Sequence, residues 1–367
     1  MGSNPAASAG VVVAGVALVA SFLGWPGDPA VGGLPVGGVV NAAVAGVALA
    51  AFLLRRHGVL GRVPGAALAG VASLLVVGFA ASRVVAATPD GGTTPALGAG
   101  VPVAVAAGAL AVVAAAVDGQ GLPRRRLVEQ LSDALTAAFV GLVGFLVGSV
   151  FTAVVTVFAA GVGRAVLWTV SVVGFGVGLA AFVAAYLRVR EYDVSYVDLA
   201  WPDARDLGYA VAGTVALLVA VVLVSALFRQ LGLPTATSSI ERTARSVADP
   251  DFLLVLVPLS WLVVGPGEEL VFRNIVQKSL YESFSPWGAV VVASAIFALV
   301  HVPQYYSPNF VAMASTLAAV FLLALILGAT YYLTENLLVP ILIHGSFNAV
   351  QFLALYVRLA TDVSVPL

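Results

Sequence analysis

Long apolar blocks separated by short polar segments dominate the pattern of hydrophobic and polar positions along the chain. Most blocks hold about 16 to 25 residues, the length that a helix needs to cross a hydrocarbon core of about 30 Å. The pattern therefore predicts an all-α fold, a polytopic transmembrane helical bundle. About eleven spans are expected, at residues 9–24, 36–54, 65–82, 99–117, 134–161, 165–186, 208–228, 251–283, 287–301, 311–333 and 337–357.

Composition favours a bilayer over water as the main solvent of the chain. The 367 residues are 61% hydrophobic and 10% charged, whereas soluble domains are about 25% charged. The chain contains no cysteine, which excludes disulfides, thiolate catalysis and zinc–thiolate sites. A net charge of −1 without a basic stripe argues against a nucleic-acid partner. The lipid bilayer is the first expected partner.

Arginine is distributed unevenly over the predicted loops. Loops 55–64, 118–133 and 187–207 are rich in arginine, and the alternate loops hold fewer basic residues. Because cytoplasmic loops of membrane proteins are enriched in arginine and lysine, these three loops are expected in the cytoplasm. The expected protein is a multi-pass protein of the cell membrane with a cytoplasmic N-terminus.

The polar segments also suggest a division of the chain into regions. Residues 1–186 contain almost no ionisable group inside their spans and are expected to be accessory transmembrane helices. Residues 187–207 form a polar cytoplasmic connector, and residues 208–367 form the core in which all candidate chemistry lies. The polar stretch 229–250 is expected to be a solvated connector with a short surface helix.

Two carboxylates and a guanidinium, Glu268, Glu269 and Arg273, lie inside one apolar span. Charges in the hydrocarbon region cost about 2.5 kcal/mol each or more, so they tend to be paired and to mark function. Four residues apart on a helix, Glu269 and Arg273 can pair, which leaves Glu268 as a candidate general base. The alternative is a structural clamp that only holds helices together. The preceding Gly-Pro-Gly, residues 265–267, predicts a break or kink in the helix.

A histidine is predicted to lie at the same depth in the membrane as the carboxylates. If the chain turns at Ser285-Pro286, Glu268 lies roughly 25 Å and His301 roughly 22 Å from that turn, at about 1.5 Å per helical residue. Two antiparallel helices would then bring these two side chains level.

The last span carries a second candidate pair, His344 and Asn348, four residues apart and therefore on one helix face. Counted from a turn at Asn336, Asn348 lies about 18 Å into the membrane, close to the same layer. The third histidine, His57, lies in a basic loop and is expected at the surface.

Three motifs in this order resemble those of the CPBP family, which includes the CAAX prenyl proteases of the Rce1 type and the Abi proteins. They are Glu268-Glu269-x-x-x-Arg273, Phe297-x-x-x-His301 and His344-x-x-x-Asn348. The resemblance covers about residues 205–357 and implies an intramembrane endopeptidase. Its implied substrate is a membrane-associated protein or peptide, prenylated or otherwise hydrophobic. The site would face the cytosol if the resemblance extends to its orientation.

The resemblance also implies roles for the motif residues. Glu268 with His301 would activate the attacking water, while His344 and Asn348 would line the oxyanion hole. The implied catalytic set is Glu268, Glu269, His301, His344 and Asn348, with Arg273 and Phe297 as site-shaping residues. One departure is Asn274, where the family often has glycine.

The cofactor stays open at this point, because the family has been described both as metal-dependent and as metal-free. The reaction needs either no cofactor or a Zn ion, which Glu268, His301 and His344 would hold. Two histidines and one glutamate meet the three-ligand requirement of a catalytic zinc site, but the chain has no HExxH motif.

Two other functions fit a buried polar layer. One is a catalytically silent binding or immunity protein of the same fold. The other is a transporter, which the lack of an inverted repeat disfavours. In loop 302–309, Tyr305 and Tyr306 are candidates for gating the site, although interfacial anchoring is the favoured role.

Overall fold

The computed structural model describes residues 4–23, 30–31, 34–86, 100–159, 161–246 and 250–361. Contacts between residues divide the chain into two compact units, Met1–Val128 and Glu129–Leu367.

The first unit is built from apolar helices that pack through alanine. Its helices are α1 (Pro5–Ala20), α2 (Val36–Arg56), α3 (Arg62–Ala86) and α4 (Gly100–Gln120), with a two-residue antiparallel ladder between β1 (Ala30–Val31) and β2 (Leu34–Pro35). Small side chains allow close helix contact in lipid. The buried Asp118 is paired with Arg55 at 2.9 Å and accepts a hydrogen bond from Asn4 at 2.7 Å.

The second unit contains the helices that carry the candidate chemistry. They are α5 (Arg124–Phe158), α6 (Arg164–Val189), α7 (Ala204–Gln230), α8 (Ser239–Arg245), α9 (Phe252–Leu280), α10 (Pro286–Val300), α11 (Phe310–Thr334) and α12 (Leu338–Thr361), with one turn of 3₁₀ helix at Val194–Tyr196. The short α8 lies in the stretch where a surface helix was expected.

The predicted all-α transmembrane fold is confirmed. Each of the eleven apolar blocks is helical, and the helices begin and end within a few residues of the predicted limits, except that α5 starts ten residues earlier. Within the described residues, nine helices are long and apolar enough to cross a membrane, while α1 and α10 are apolar but shorter.

Helix α9 lies at the centre of the second unit. Seven consecutive residues, 271–277, are buried, as expected of a helix that packs on all sides. Phe272 and Val276 belong to a core cluster that also includes Ala137 of α5 and Leu179 of α6. Helices α5 and α6 therefore pack within the same unit as α9, although both fall largely within the predicted accessory region 1–186. The functional division of the chain into accessory region, connector and core stays a prediction.

Of the break or kink expected at residues 265–267, the break is absent, because α9 continues as a helix through this segment. The helix instead widens into π-helical turns at Ser260–Val264 and Leu270–Gln277, on either side of Gly265–Glu269. The Gly265 N–H donates to the Ser260 carbonyl, five residues back. A π turn accommodates Pro266, which has no N–H to donate, without ending the helix.

Candidate active site

The two adjacent carboxylates of α9 are both buried but face different partners. Glu268 is 6% exposed and Glu269 is fully buried. Successive residues of a helix point about 100° apart, so one carboxylate can be held by the protein while its neighbour faces a cavity.

Glu269 is held through both of its oxygens. Arg273 Nε donates to Oε2 at 2.9 Å, and His344 Nδ1 donates to Oε1 at 2.8 Å. The Arg273 side chain is fully buried, and its Cζ lies 5.1 Å from the centroid of the Phe297 ring. The predicted Glu269–Arg273 ion pair is therefore present, and it also fixes the orientation of the His344 ring.

His301 follows the last residue of α10 and is oriented by its own helix. Its Nδ1 lies 2.7 Å from the carbonyl oxygen of Phe297. A carbonyl can only accept, so Nδ1 carries a proton and the opposite nitrogen, Nε2, faces away from the helix. The Phe297 ring packs between the histidines, with centroid distances of 4.4 Å to His301 and 6.0 Å to His344.

The two histidines converge on Glu268. Its Oε2 lies 3.8 Å from His301 Nε2 and 3.9 Å from His344 Nε2, distances too long for direct hydrogen bonds. Within the part of the chain that the structure describes, this buried oxygen has no hydrogen-bond partner. Carboxylate and imidazole groups from three different helical segments therefore meet around one point.

Glycines explain how α9 and α12 come close enough to form this centre. A Cβ atom at Gly345, beside His344, would lie 2.5 Å from Trp261 Cδ1 and 3.0 Å from Trp261 Cα. A Cβ at Gly265 would lie 3.0 Å from the Ile341 carbonyl. Larger residues at these two positions would separate the helices that carry Glu268 and His344.

A cavity of about 720 Å³ begins at Glu268, His301 and His344 and extends to residues 235–241. Its walls come mainly from α5, α6, α7, α11 and α12. Asn348, one turn beyond His344, is half-buried and lines the same cavity. The three converging side chains therefore have access to a space large enough for several residues of a peptide.

The opposite end of the unit, near residues 187–207, contributes no residue to the cavity and is closed by hydrogen bonds around Asp198. Its carboxylate accepts from Lys278 Nζ at 2.7 Å and from Tyr331 Oη at 2.6 Å. Its N–H donates to Asn274 Oδ1 at 2.9 Å, and its carbonyl accepts from the Leu337 N–H at 2.6 Å. Asp198 thereby joins α9, α11 and the start of α12.

Sequence reasoning missed Asp198, and it favoured the less fitting of two roles for Tyr305. Asp198 gave no motif, although its position in the most polar stretch before the core was a signal. Tyr305 was favoured as an interfacial anchor, but it lines the cavity, with its ring centroid 6.5 Å from that of His301. Burial raises the pKa of the Tyr305 hydroxyl to about 12, so this group stays protonated at neutral pH.

The site does not fit a zinc ion held by Glu268, His301 and His344, one of the two alternatives that the sequence left open. No group of three or more histidine, cysteine or acidic side chains is placed to hold a metal ion among the described residues. Ligands about 2.0 to 2.1 Å from a tetrahedral zinc ion would lie about 3.4 Å apart. The nitrogens of His301 and His344 are 3.8 and 3.9 Å from Glu268 Oε2. No catalytic step is therefore derived through a metal.

The fold and this buried centre define a class of protein, a polytopic α-helical membrane protein with a carboxylate–imidazole cluster buried among its helices. Residues 250–350 match the model of the family described as type II CAAX prenyl endopeptidase Rce1-like. The matched segment contains all three motifs, so the resemblance to this family is confirmed over these residues. The match begins just before α9 and is shorter than the range 205–357 over which the resemblance was drawn. No curated protein and no solved structure gives a significant match.

Proposed function

We propose that this protein is an intramembrane endopeptidase that hydrolyses a peptide bond of a membrane-associated protein or peptide. The observation that carries the proposal is the placement of Glu268 Oε2, 3.8 and 3.9 Å from two histidine Nε2 atoms, at the inner end of a cavity. The endopeptidase description of the matching family supports the same reaction class.

The arrangement suits activation of a water molecule. His301 donates its Nδ1 proton to the Phe297 carbonyl, so the neutral ring presents a lone pair at Nε2, and the Glu268 carboxylate is also an acceptor. A water about 2.8 Å from His301 Nε2 and Glu268 Oε2 would donate one of its two protons to each. Glu268 accepts a proton as the water oxygen attacks the substrate carbonyl, and His301 orients the water.

The remaining steps return that proton to the substrate. The carbonyl oxygen becomes an oxyanion, which accepts hydrogen bonds from Asn348 Nδ2 and from the Nε2–H of His344, a ring that in this role is an imidazolium and donates its Nδ1–H to Glu269. The Glu268 carboxylic acid then protonates the leaving nitrogen, the carbon–nitrogen bond breaks, and a carboxylic acid and an amine leave. Glu269 and Arg273 act by holding the His344 ring in place.

The proposal is tested by Glu268→Gln in protein reconstituted in liposomes. A suitable probe is a fluorogenic peptide that ends in a prenylated CAAX sequence, with an unprenylated peptide beside it. Because the amide cannot take the proton, we expect the cleavage rate to fall by about 10² to 10⁴-fold. Glu282→Gln removes an exposed carboxylate far from the cavity and should leave the rate unchanged. Equal rates in both variants would end the assignment.

The same preparation separates the alternatives. Binding of the peptide by wild type without cleavage would indicate a catalytically silent binding protein of the same fold. Loss of activity with a chelator, restored by zinc and matched by stoichiometric zinc in the purified protein, would show a metal-dependent reaction.

We further propose that the protein lies in the cell membrane with the connector 187–207 in the cytoplasm, on the basis of its arginine content. Helices alternate in direction along the second unit, so the cavity then opens on the opposite face of the membrane. The family resemblance instead favours a cytosol-facing site.

Because the chain has no cysteine, single-cysteine variants decide between these orientations. In intact cells, a membrane-impermeant maleimide should label Gln304→Cys, at the cavity end, and should not label Arg190→Cys, at the connector end. The reverse labelling pattern would place the cavity opening in the cytoplasm and refute the orientation derived from charge.

A further inference from the structure

One face of α12 runs the length of the cavity. His344, Asn348, Gln351, Leu355 and Arg358 all line it, at spacings of three and four residues that keep them on one side of the helix. Asn348 lies at the inner end, beside the proposed oxyanion, and Arg358 lies ten residues further out. At about 1.5 Å per residue this separation is about 15 Å.

The outer end of the cavity carries positive charge. Glu241 Oε1 accepts hydrogen bonds from Arg358 Nη2 at 2.9 Å and from Arg245 Nη2 at 2.7 Å. One carboxylate is thus shared by two guanidinium groups, and the cluster has a net charge of about +1 with all three side chains ionised. Arg358 is the single arginine or lysine among the described residues that line the cavity.

Arg358 also retains unused hydrogen-bonding capacity. Its side chain is 35% exposed and bonds to Glu241 through Nη2, so Nη1 keeps no partner within the described part of the chain. A guanidinium that keeps a free donor beside an ion pair is suited to bind a second carboxylate, because its planar fork matches the two oxygens. The inner end of the cavity, with Glu268, has the opposite charge, so the two ends would orient a peptide.

We propose that Arg358, with Arg245 and Glu241, forms a subsite that binds a carboxylate of the peptide substrate, about 15 Å from the bond that is cut. This inference rests on the proposed peptidase function. An extended peptide covers about 3.3 to 3.6 Å per residue, so the recognised carboxylate lies about four to five residues from the scissile bond. It is either the C-terminal carboxylate or an acidic side chain at that position.

Binding tests this subsite without requiring cleavage. Two fluorescent apolar peptides, identical except for a free C-terminal carboxylate or a C-terminal amide, are titrated against the Glu268→Gln protein in zwitterionic nanodiscs. We expect the acid to bind about fivefold more tightly, the effect of one partly exposed ion pair. A third peptide, with the amide terminus and an internal glutamate, distinguishes a terminal carboxylate from an acidic side chain.

Variants of Arg358 assign the difference to this residue. Added to Glu268→Gln, Arg358→Gln should abolish the preference for the acid, Arg358→Lys should retain part of it, and Arg188→Gln, an exposed arginine near the connector, should retain all of it. Arg358→Lys keeps the charge and guards against a loss caused by misfolding, which the thermal midpoint also checks.

Three results would overturn the subsite. They are equal affinities for acid and amide, a preference that survives Arg358→Gln, and no binding of either peptide. Tighter binding of anionic lipid that depends on Arg358, without any preference for the acid peptide, would assign the cluster to lipid headgroups instead. Acid-selective binding by a wild-type protein that cleaves nothing would leave this subsite standing and refute only the peptidase function.

Discussion

The two ends of the second unit differ in how their buried and half-buried charged groups are paired. At the connector end, Asp198 uses its carboxylate, its N–H and its carbonyl in hydrogen bonds to three elements of the core. At the cavity end, Glu268 Oε2 and Arg358 Nε are buried without a hydrogen-bond partner among the described residues. A hydrogen-bond network in which each polar group has a partner makes a structure more rigid. A buried polar group without a hydrogen-bond partner lowers the stability of the fold.

This difference indicates that the two ends of the same helices have different roles. The connector end fixes α9, α11 and α12 relative to one another, and the cavity end presents groups whose partners would come from substrate and water. The Glu269–Arg273–His344 cluster lies between the two ends. Glu269 and Arg273 belong to α9, one of the helices fixed at the connector end. Their contacts hold the ring of His344, which faces the cavity.

Among the substitutions that test this contrast between the two ends, Arg273→Met is expected to have the largest effect on stability and cleavage. Removing one partner of a buried ion pair typically costs about 3 to 5 kcal/mol, because the other charge stays buried. Glu269 would keep only the His344 contact. We expect the free energy of unfolding, measured by denaturant titration in mixed micelles, to fall by about this amount, and cleavage to be lost.

A second substitution shows whether the buried charge is the cause. In the double variant Glu269→Gln, Arg273→Met, both charges are gone, and most of the stability should return. Cleavage should stay low, since the amide holds His344 less firmly than the carboxylate does. If Arg273→Met alone were as stable as wild type, the cluster would not be the structural link between the two ends.

Much of this fold is readable from the sequence, and the reasons are physical. A bilayer demands long apolar helices, so the helices could be located by hydropathy alone. Residue counting could place His301 level with Glu268 because both helices start from the same turn and rise at a fixed 1.5 Å per residue. The Glu269–Arg273 pair followed from a spacing of four residues on one helix.

Other features depend on contacts between segments distant in the chain. The sequence around residues 265–267 predicted a break, since Pro266 removes a hydrogen bond, but π turns absorb the change without ending α9. The His344–Glu269 contact joins residues 75 positions apart. The role of Asp198 depends on four partners far along the chain, which no local pattern in residues 187–207 could reveal.

The smallest effect is expected from Asp198→Asn, which weakens the connector end and leaves the cavity intact. The side chain keeps an acceptor oxygen but loses the charge that faces Lys278, and both side chains are about one-quarter exposed. We therefore expect a loss of about 1 to 2 kcal/mol in the free energy of unfolding. If Asp198 positions the site, the cleavage rate at saturating peptide should also fall severalfold while KM stays the same.

Asp193→Asn is the matched control, because the exposed Asp193 caps the 3₁₀ turn and asparagine caps equally well. It should change neither stability nor rate. A double-mutant cycle of Asp198→Asn with Lys278→Met should give a coupling energy above about 0.5 kcal/mol if the two groups act together. A rate that falls only in proportion to the folded fraction would mean that Asp198 contributes to stability alone. The connector end and the cavity end would then differ in packing alone, and the connector end would not position the site.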